Sequence, residues 1–173
     1  MTEREGVVES KGEPLTLLGD EVKVGSKAAE FEVVGNDMKP VRLSDFRGKA
    51  VVLSAVPSLD TPTCDIETRR FNQEAAGLGW NVVILTVSRD LPFAQKRWCG
   101  AAGVDRVITA SDYREGAFGR AYGVFIKEWA LLARTVFVID KEGMVRYVQS
   151  VKDVSTEPDY EPVLEAVRAA ARQ

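Results

Sequence analysis

The sequence contains no histidine and only two cysteines, Cys64 and Cys99. The absence of histidine excludes Cys-His and Ser-His catalysis and removes the most common metal ligand. The two cysteines do not form a Cys-x-x-Cys motif, which disfavours both a thioredoxin-like dithiol exchanger and a four-ligand zinc site. We therefore expect no metal or other cofactor. What remains for chemistry is a pair of separated thiols.

Strong charge of either sign and long apolar runs are also missing. The 23 Lys and Arg residues nearly balance the 26 Asp and Glu residues, giving a net charge of -3. No basic cluster exceeds the pair Arg69–Arg70, so no nucleic-acid partner is expected. No apolar run approaches the length of a membrane span. The N-terminal segment MTEREGVVESKGE lacks the apolar core of a signal peptide, so we expect a soluble, cytoplasmic protein without a membrane partner.

A chain of 173 residues without repeats or linkers predicts one domain over residues 1–173. Alternating residues around Lys11-Gly12 predict an N-terminal hairpin over residues 7–19. The apolar segments 50–56 and 81–88 predict buried central strands. A helix is predicted after each of them. The first spans residues 62–76, and the second lies in the segment 90–100, with Asp90 as its cap and Gly100 just past its end.

The second half continues the alternation of strands and helices. Its pattern predicts a strand over 104–111, a short helix over 114–124, a hairpin over 134–151 and a final amphipathic helix over 157–173. The apolar face of the final helix consists of Val163, Leu164, Val167 and Ala170. This order predicts an α/β fold with a mixed central β-sheet and helices on both of its faces.

The segment PSLDTPTCD, residues 57–65, places Cys64 at the start of a predicted helix. With Thr61 as N-cap and Pro62 as first helical residue, Cys64 falls in the first turn. There its sulfur lies near unpaired backbone N–H groups and the positive end of the helix dipole, which both stabilise a thiolate. The Thr61 hydroxyl can reach the amide or the sulfur of Cys64. The pattern is typical of a reactive thiol at the carboxyl end of a central strand.

Other interpretations of the two cysteines stay open on the residues alone. Cysteine is among the most buried residue types, so Cys64 could be an inert core thiol, and Cys99 could simply belong to the end of its helix. A structural Cys64–Cys99 disulfide is a third alternative, which a reducing cytoplasm would disfavour.

The segment PSLDTPTCD resembles the peroxiredoxin signature Pro-x-x-x-Thr-x-x-Cys, met here by Pro57, Thr61 and Cys64. Longer segments are similar to the thiol peroxidase subfamily of the peroxiredoxins, of the atypical two-cysteine type: SLDTPTCDIETRRFN, DLPFAQKRWCGAAGV, AFGRAYGV and LLARTVFVIDKEG. The resemblance runs from residue 7 to residue 170 and includes the second cysteine. Thr63 is a minor departure, since the subfamily usually has an aliphatic residue there.

The resemblance implies a thioredoxin-like fold and a peroxidase that uses thioredoxin as reductant. Cys64 matches the peroxidatic cysteine, which attacks a hydroperoxide and becomes a sulfenic acid. Cys99 matches the resolving cysteine, which forms an intramolecular disulfide with Cys64. Arg134 matches the active-site arginine, and Thr61 the threonine that orients sulfur and peroxide. A homodimer is also expected from this resemblance.

Two alternatives accompany these expectations. On sequence position alone Arg70 and Arg97 rival Arg134, because they lie nearer to a cysteine. The same thiol pair could also serve a peroxide sensor that passes its disulfide to another protein, or an interaction module whose cysteines are structural.

Overall fold

The computed structural model describes residues 1–172, which form two β-sheets and four α-helices. The strands are β1 (Glu3–Ser10), β2 (Glu13–Leu18), β3 (Glu32–Gly35), β4 (Pro40–Arg42), β5 (Ala50–Ala55), β6 (Val82–Ser88), β7 (Ile108–Ser111), β8 (Phe125–Ile126), β9 (Leu131–Leu132), β10 (Thr135–Ile139) and β11 (Val145–Ser150). The helices are α1 (Pro62–Ala75), α2 (Pro92–Ala102), α3 (Ala117–Ala121) and α4 (Tyr160–Arg172), with a 3-10 helix at Leu43–Phe46.

The central sheet has seven strands in the order β11-β10-β5-β6-β7-β3-β4. Strands β5, β6 and β7 run parallel, and antiparallel strands flank them on both sides. Every residue of β5 is buried, as the apolar run at 50–56 predicts. The predicted α/β fold with a mixed central sheet is confirmed.

The two faces of the central sheet are covered differently. Val52 and Val138 belong to the apolar cluster that holds residues of α1, α2 and α4. Their strand neighbours Leu53 and Phe137 point to the opposite face, into a cluster formed with α3 and the second sheet. On the second face the expectation of helices is met by the short α3 and by the 3-10 helix at Leu43–Phe46, and the second sheet provides most of the remaining cover.

The second sheet has four strands in the order β1-β2-β8-β9. The predicted N-terminal hairpin forms its first half and begins at Glu3, before the expected residue 7. Its turn places Lys11 and Gly12 at φ values of 51° and 83°, the left-handed conformation of a tight hairpin turn. The two-residue strands β8 and β9 were not predicted, because they are too short to show a periodic pattern.

Several predicted boundaries in the middle of the chain were wrong. Helix α2 continues through Gly100 to Ala102 and ends where Gly103 adopts the left-handed conformation at φ 69°. Asp90 does not cap this helix. The N-cap residue is Leu91, and no side chain forms a capping hydrogen bond there. Strand β7 and helix α3 are each shorter than the predicted segments 104–111 and 114–124.

The predicted C-terminal helix is present as α4, which begins at Tyr160 rather than at residue 157, and the predicted residue 173 lies outside the described residues. Its predicted apolar face is buried against the central sheet: Val163, Leu164, Val167 and Ala170. None of the helices in residues 1–172 combines the length and the apolar character needed to cross a membrane.

Candidate active site

The start of α1 positions Cys64 as the sequence predicts. Thr61 is the N-cap, with extended backbone at φ -90° and ψ 144°, and Pro62 occupies the first turn. The Cys64 backbone N–H donates to the Thr61 hydroxyl oxygen at 3.3 Å, which satisfies one unpaired donor of the helix end. The Cys64 side chain is fully buried beside Val56 and Leu59. A thiolate here would face the positive end of the helix.

Arg134 lies against the sulfur, on the residue that precedes β10. Its Nη2 atom donates to Cys64 Sγ at 3.3 Å and to the Val154 carbonyl at 2.8 Å. Its Nη1 atom lies 2.5 Å from Glu67 Oε2. Only 1% of Arg134 is exposed, so little water screens its charge from the sulfur. The structure thus brings together Thr61, Cys64 and Arg134, three of the residues that the sequence indicates.

Glu67 and Ser54 also belong to the site, although neither was predicted from the sequence. Glu67 is fully buried, and Ser54 Oγ donates to its Oε1 atom at 3.1 Å. Burial raises the pKa of the Glu67 carboxyl, and Arg134 and Ser54 counter this by stabilising the ionised form. Burial also lowers the pKa of Arg134, but Glu67 and Cys64 raise it above its ordinary value. A signal existed, since Glu67 follows Cys64 by one helical turn and so shares its face.

The loop before α1 is held by Asp90 rather than by apolar contacts alone. Asp90 accepts hydrogen bonds from Ser58 Oγ at 2.6 Å, the Leu59 N–H at 2.8 Å and Ser88 Oγ at 2.7 Å. The Thr61 hydroxyl in turn donates to the Ser58 carbonyl at 2.9 Å. Asp90 is therefore unavailable as a helix cap because its carboxylate already binds this loop.

Two sequence features of the same region have clear positions. Pro57, at the start of the loop, is buried, which fits its expected role of stiffening the segment. Thr63, the departure from the subfamily pattern, donates to the Ser155 carbonyl at 2.9 Å. It thereby ties the first turn of α1 to the loop whose Val154 carbonyl receives Arg134.

Cys99 lies apart from this cluster. Its sulfur is 3.3 Å from Thr109 Oγ1 on β7, and both cysteines are free thiols. Thr109 pairs with Thr86, which pairs with Ser54 on β5. Glu67 of α1 contacts Ser54 on β5, and Cys99 contacts Thr109 on β7. Strands β5 and β7 lie two positions apart in the sheet, a separation of roughly 10 Å. The structure therefore holds the thiols near the same face without joining them.

The rival arginines have other surroundings. Arg70 forms an ion pair with Glu74 at 2.9 Å and lies over the Tyr160 ring. Arg97 is exposed on α2. A cavity lined by residues that include Phe46, Val51 and Ile139 contains none of the predicted site residues. Of the three arginines considered, Arg134 is the one with a hydrogen bond to the Cys64 sulfur.

We predict that Glu67→Gln destabilises the fold by about 3 kcal/mol, because it leaves the buried Arg134 charge without its partner. The matched control is Glu74→Gln on the same helix, whose ion pair with Arg70 is partly exposed to solvent and should contribute less than about 1 kcal/mol. Urea unfolding of both variants measures the difference. Equal losses in the two variants would contradict a special role for the buried pair.

Comparison with known proteins places these features in a family. The family described as Redoxin matches residues 23–164. A thiol peroxidase from Halalkalibacterium halodurans is 56% identical over 160 residues, covering 92% of this chain and 96% of that protein. A thiol peroxidase from Bacillus subtilis is 51% identical over 162 residues, covering 94% and 96%.

Solved structures agree with this assignment. The crystal structure of a peroxiredoxin-like protein from Aquifex aeolicus has a TM-score of 0.90 at 42% identity and covers 98% of this chain and 99% of that one. A thiol peroxidase from Chromobacterium violaceum, at 17% identity and a TM-score of 0.84, shares the fold over 98% of each chain. The chain belongs to the Redoxin family, and its similarities within that family are to the thiol peroxidases.

Proposed function

We propose that the protein is a thiol peroxidase that reduces hydrogen peroxide and organic hydroperoxides to water and alcohols, with thioredoxin as reductant. The observation that carries the proposal is the Arg134 guanidinium 3.3 Å from the sulfur of Cys64, at the capped start of α1. The high identity to thiol peroxidases over nearly the whole chain supports the same reaction.

In the first step the Cys64 thiolate attacks one oxygen of the hydroperoxide. The new S–O bond forms as the O–O bond breaks, and its electron pair leaves with the departing oxygen, which takes up a proton as water or alcohol. Cys64 becomes a sulfenic acid. Arg134 is positioned to stabilise both the thiolate and the negative charge on the departing oxygen.

Ionisation of a thiol accounts for only part of the rate acceleration that a peroxidase needs. A thiol of ordinary pKa, about 8.5, is roughly 3% ionised at pH 7, so complete ionisation gives at most about a 30-fold gain. The larger share must come from groups that orient the peroxide and stabilise charge in the transition state. The Thr61 hydroxyl donates to Ser58 and already accepts from the Cys64 N–H, so its second lone pair is the one left to accept a hydrogen bond from the peroxide O–H.

Cys99 is the proposed resolving residue. Its thiol condenses with the Cys64 sulfenic acid, forming one S–S bond and releasing water. Thioredoxin then reduces the disulfide by thiol exchange and regenerates both thiols. The free state of both cysteines is that of the reduced enzyme. A reducing compartment such as the cytoplasm suits this cycle.

Intact-mass spectrometry after one equivalent of hydroperoxide tests the assignment. Wild type should lose about 2 Da as the disulfide forms, Cys99→Ser should gain about 16 Da as the sulfenic acid, and Cys64→Ser should stay unchanged. Oxygen added to Cys99, or no change in wild type, would contradict it. Turnover with thioredoxin and thioredoxin reductase separates a peroxidase from a sensor or an interaction module.

For Thr61→Val we predict a loss of about 100-fold in the rate of peroxide reduction, because the variant removes both the acceptor that orients the peroxide and the helix cap. Thr61→Ser keeps the hydroxyl and is the control. Stopped-flow oxidation rates are compared with the thiolate fraction from ultraviolet absorbance across pH. A rate that simply follows the thiolate fraction would refute the orienting role.

The cycle also requires local unwinding of α1 and α2. A disulfide needs Cα atoms about 4.4–6.8 Å apart, while the reduced structure keeps Cys64 beside Arg134 and Cys99 beside Thr109. Hydrogen exchange should therefore show lower protection around both cysteines in the oxidised protein than in the reduced one. Equal protection in the two states would argue against unwinding.

The expected homodimer belongs to the same proposal. Leu91 and Phe93, at the start of α2, are 54% and 66% exposed, which supports an apolar contact with a second copy. Sedimentation of the purified protein tests this expectation.

A further inference from the structure

The residues next to the two cysteines are bonded to each other. Asp65 follows Cys64 in α1, and Trp98 precedes Cys99 in α2. The Trp98 indole N–H donates to Asp65 Oδ2 at 2.9 Å. This single bond joins the first turn of one cysteine-bearing helix to the last turns of the other.

Arg69 strengthens the connection. Its Nε atom donates to Asp65 Oδ1 at 2.6 Å, and its Nη1 atom donates to the Ala102 carbonyl at 3.2 Å. Its guanidinium carbon lies 5.8 Å from the centre of the Trp98 ring, within the range of a cation–π contact. The Ala102 carbonyl belongs to the last turn of α2, whose carbonyls lack helical partners. We call Asp65, Arg69, Trp98 and the Ala102 carbonyl the clasp.

The clasp acts on a helix with few other attachments. Within α2 only Pro92 and Gln95 are buried, so the apolar contacts that oppose release of its C-terminal turn are those of the partly buried Trp98 and Ala102. That turn is otherwise closed by the Gly103 and Val104 N–H groups, which both donate to the Cys99 carbonyl. Release of Cys99 therefore requires loss of these backbone bonds and of the contacts in the clasp.

We propose that the clasp sets the rate at which Cys99 reaches oxidised Cys64. Trp98 and Asp65 are positioning residues that slow disulfide formation by holding the two cysteine-bearing helices together. The inference rests on the proposed resolving role of Cys99. The sulfenic acid has two fates: condensation with Cys99 to give the disulfide and water, or reaction with a second hydroperoxide to give the sulfinic acid and an alcohol or water. A closed clasp delays the first reaction and leaves the second unhindered.

The test compares Trp98→Phe with wild type. Phenylalanine keeps an aromatic ring beside Cys64 and removes the N–H donor to Asp65. Loss of one hydrogen bond to a charged group favours the open form by about tenfold. Rapid quenching followed by intact-mass analysis should show the rate of disulfide formation, relative to the rate of sulfenic acid formation, rising about tenfold. The peroxide concentration that converts half of the protein to sulfinic acid should rise in the same proportion.

Trp80→Phe is the matched control, because Trp80 is 85% exposed and lies outside the clasp. Asp65→Asn provides a second variant that keeps an acceptor for Trp98 but removes the charge that holds Arg69, and it should shift the ratio in the same direction. The double variant should gain less than the product of the two single effects, since both act on one contact.

The outcomes separate the inference from the proposed function. If wild type forms the disulfide but Trp98→Phe and Asp65→Asn leave the ratio unchanged or lower it, the clasp inference is overturned while the peroxidase proposal stands. If wild type forms no Cys64–Cys99 disulfide, the resolving role of Cys99 fails, and the inference fails with it. Should Trp98→Phe not fold, Asp65→Asn alone decides.

Discussion

The buried guanidinium of Arg134 is the group on which the site depends. It contacts two other parts of the chain: helix α1, through Glu67 and the sulfur of Cys64, and the loop after β11, through the Val154 carbonyl. Its Nε atom is buried without a hydrogen-bond partner among residues 1–172. Burying a cation is costly unless it is paired. Glu67, itself held by Ser54, offsets that cost and fixes the guanidinium in place.

This arrangement creates a conflict between the two halves of the proposed cycle. Attack on a peroxide needs Cys64, Thr61 and Arg134 held in one geometry, and the loop bonded to Asp90 provides that rigidity. Disulfide formation needs Cys64 to leave the same geometry. The parallel strands β5, β6 and β7 form the largely buried centre of the sheet, so we expect the motion to be confined to the helix ends above them. The end of α2 is held mainly by polar contacts rather than by buried side chains, so we expect it to open more readily than the sheet.

The parts of the structure that sequence could predict are those with a local cause. The capped start of α1 follows from Thr61 and Pro62, and the burial of β5 follows from its apolar run. Arg134 was identified only through resemblance to a family, because nothing near it in the chain marks it as different from Arg70. Glu67 could have been found from its one-turn spacing to Cys64. Asp90 was misassigned because a local capping rule cannot show that its carboxylate binds Ser58, which lies 32 residues upstream.

The absence of histidine explains why this site is built around permanent charge. A histidine base would ionise a thiol by proton transfer and would itself titrate near neutral pH. Arg134 stays protonated throughout that range, so the stabilisation of a Cys64 thiolate does not depend on the state of a neighbouring base. Glu67 has two opposing effects. Its carboxylate holds the guanidinium in place, but it also competes with the thiolate for the same positive charge. Because Glu67 binds Nη1 and the sulfur faces Nη2, the two anions use different nitrogens. One cation can therefore be anchored by a carboxylate through Nη1 and still donate to the sulfur through Nη2, whose other N–H binds the Val154 carbonyl.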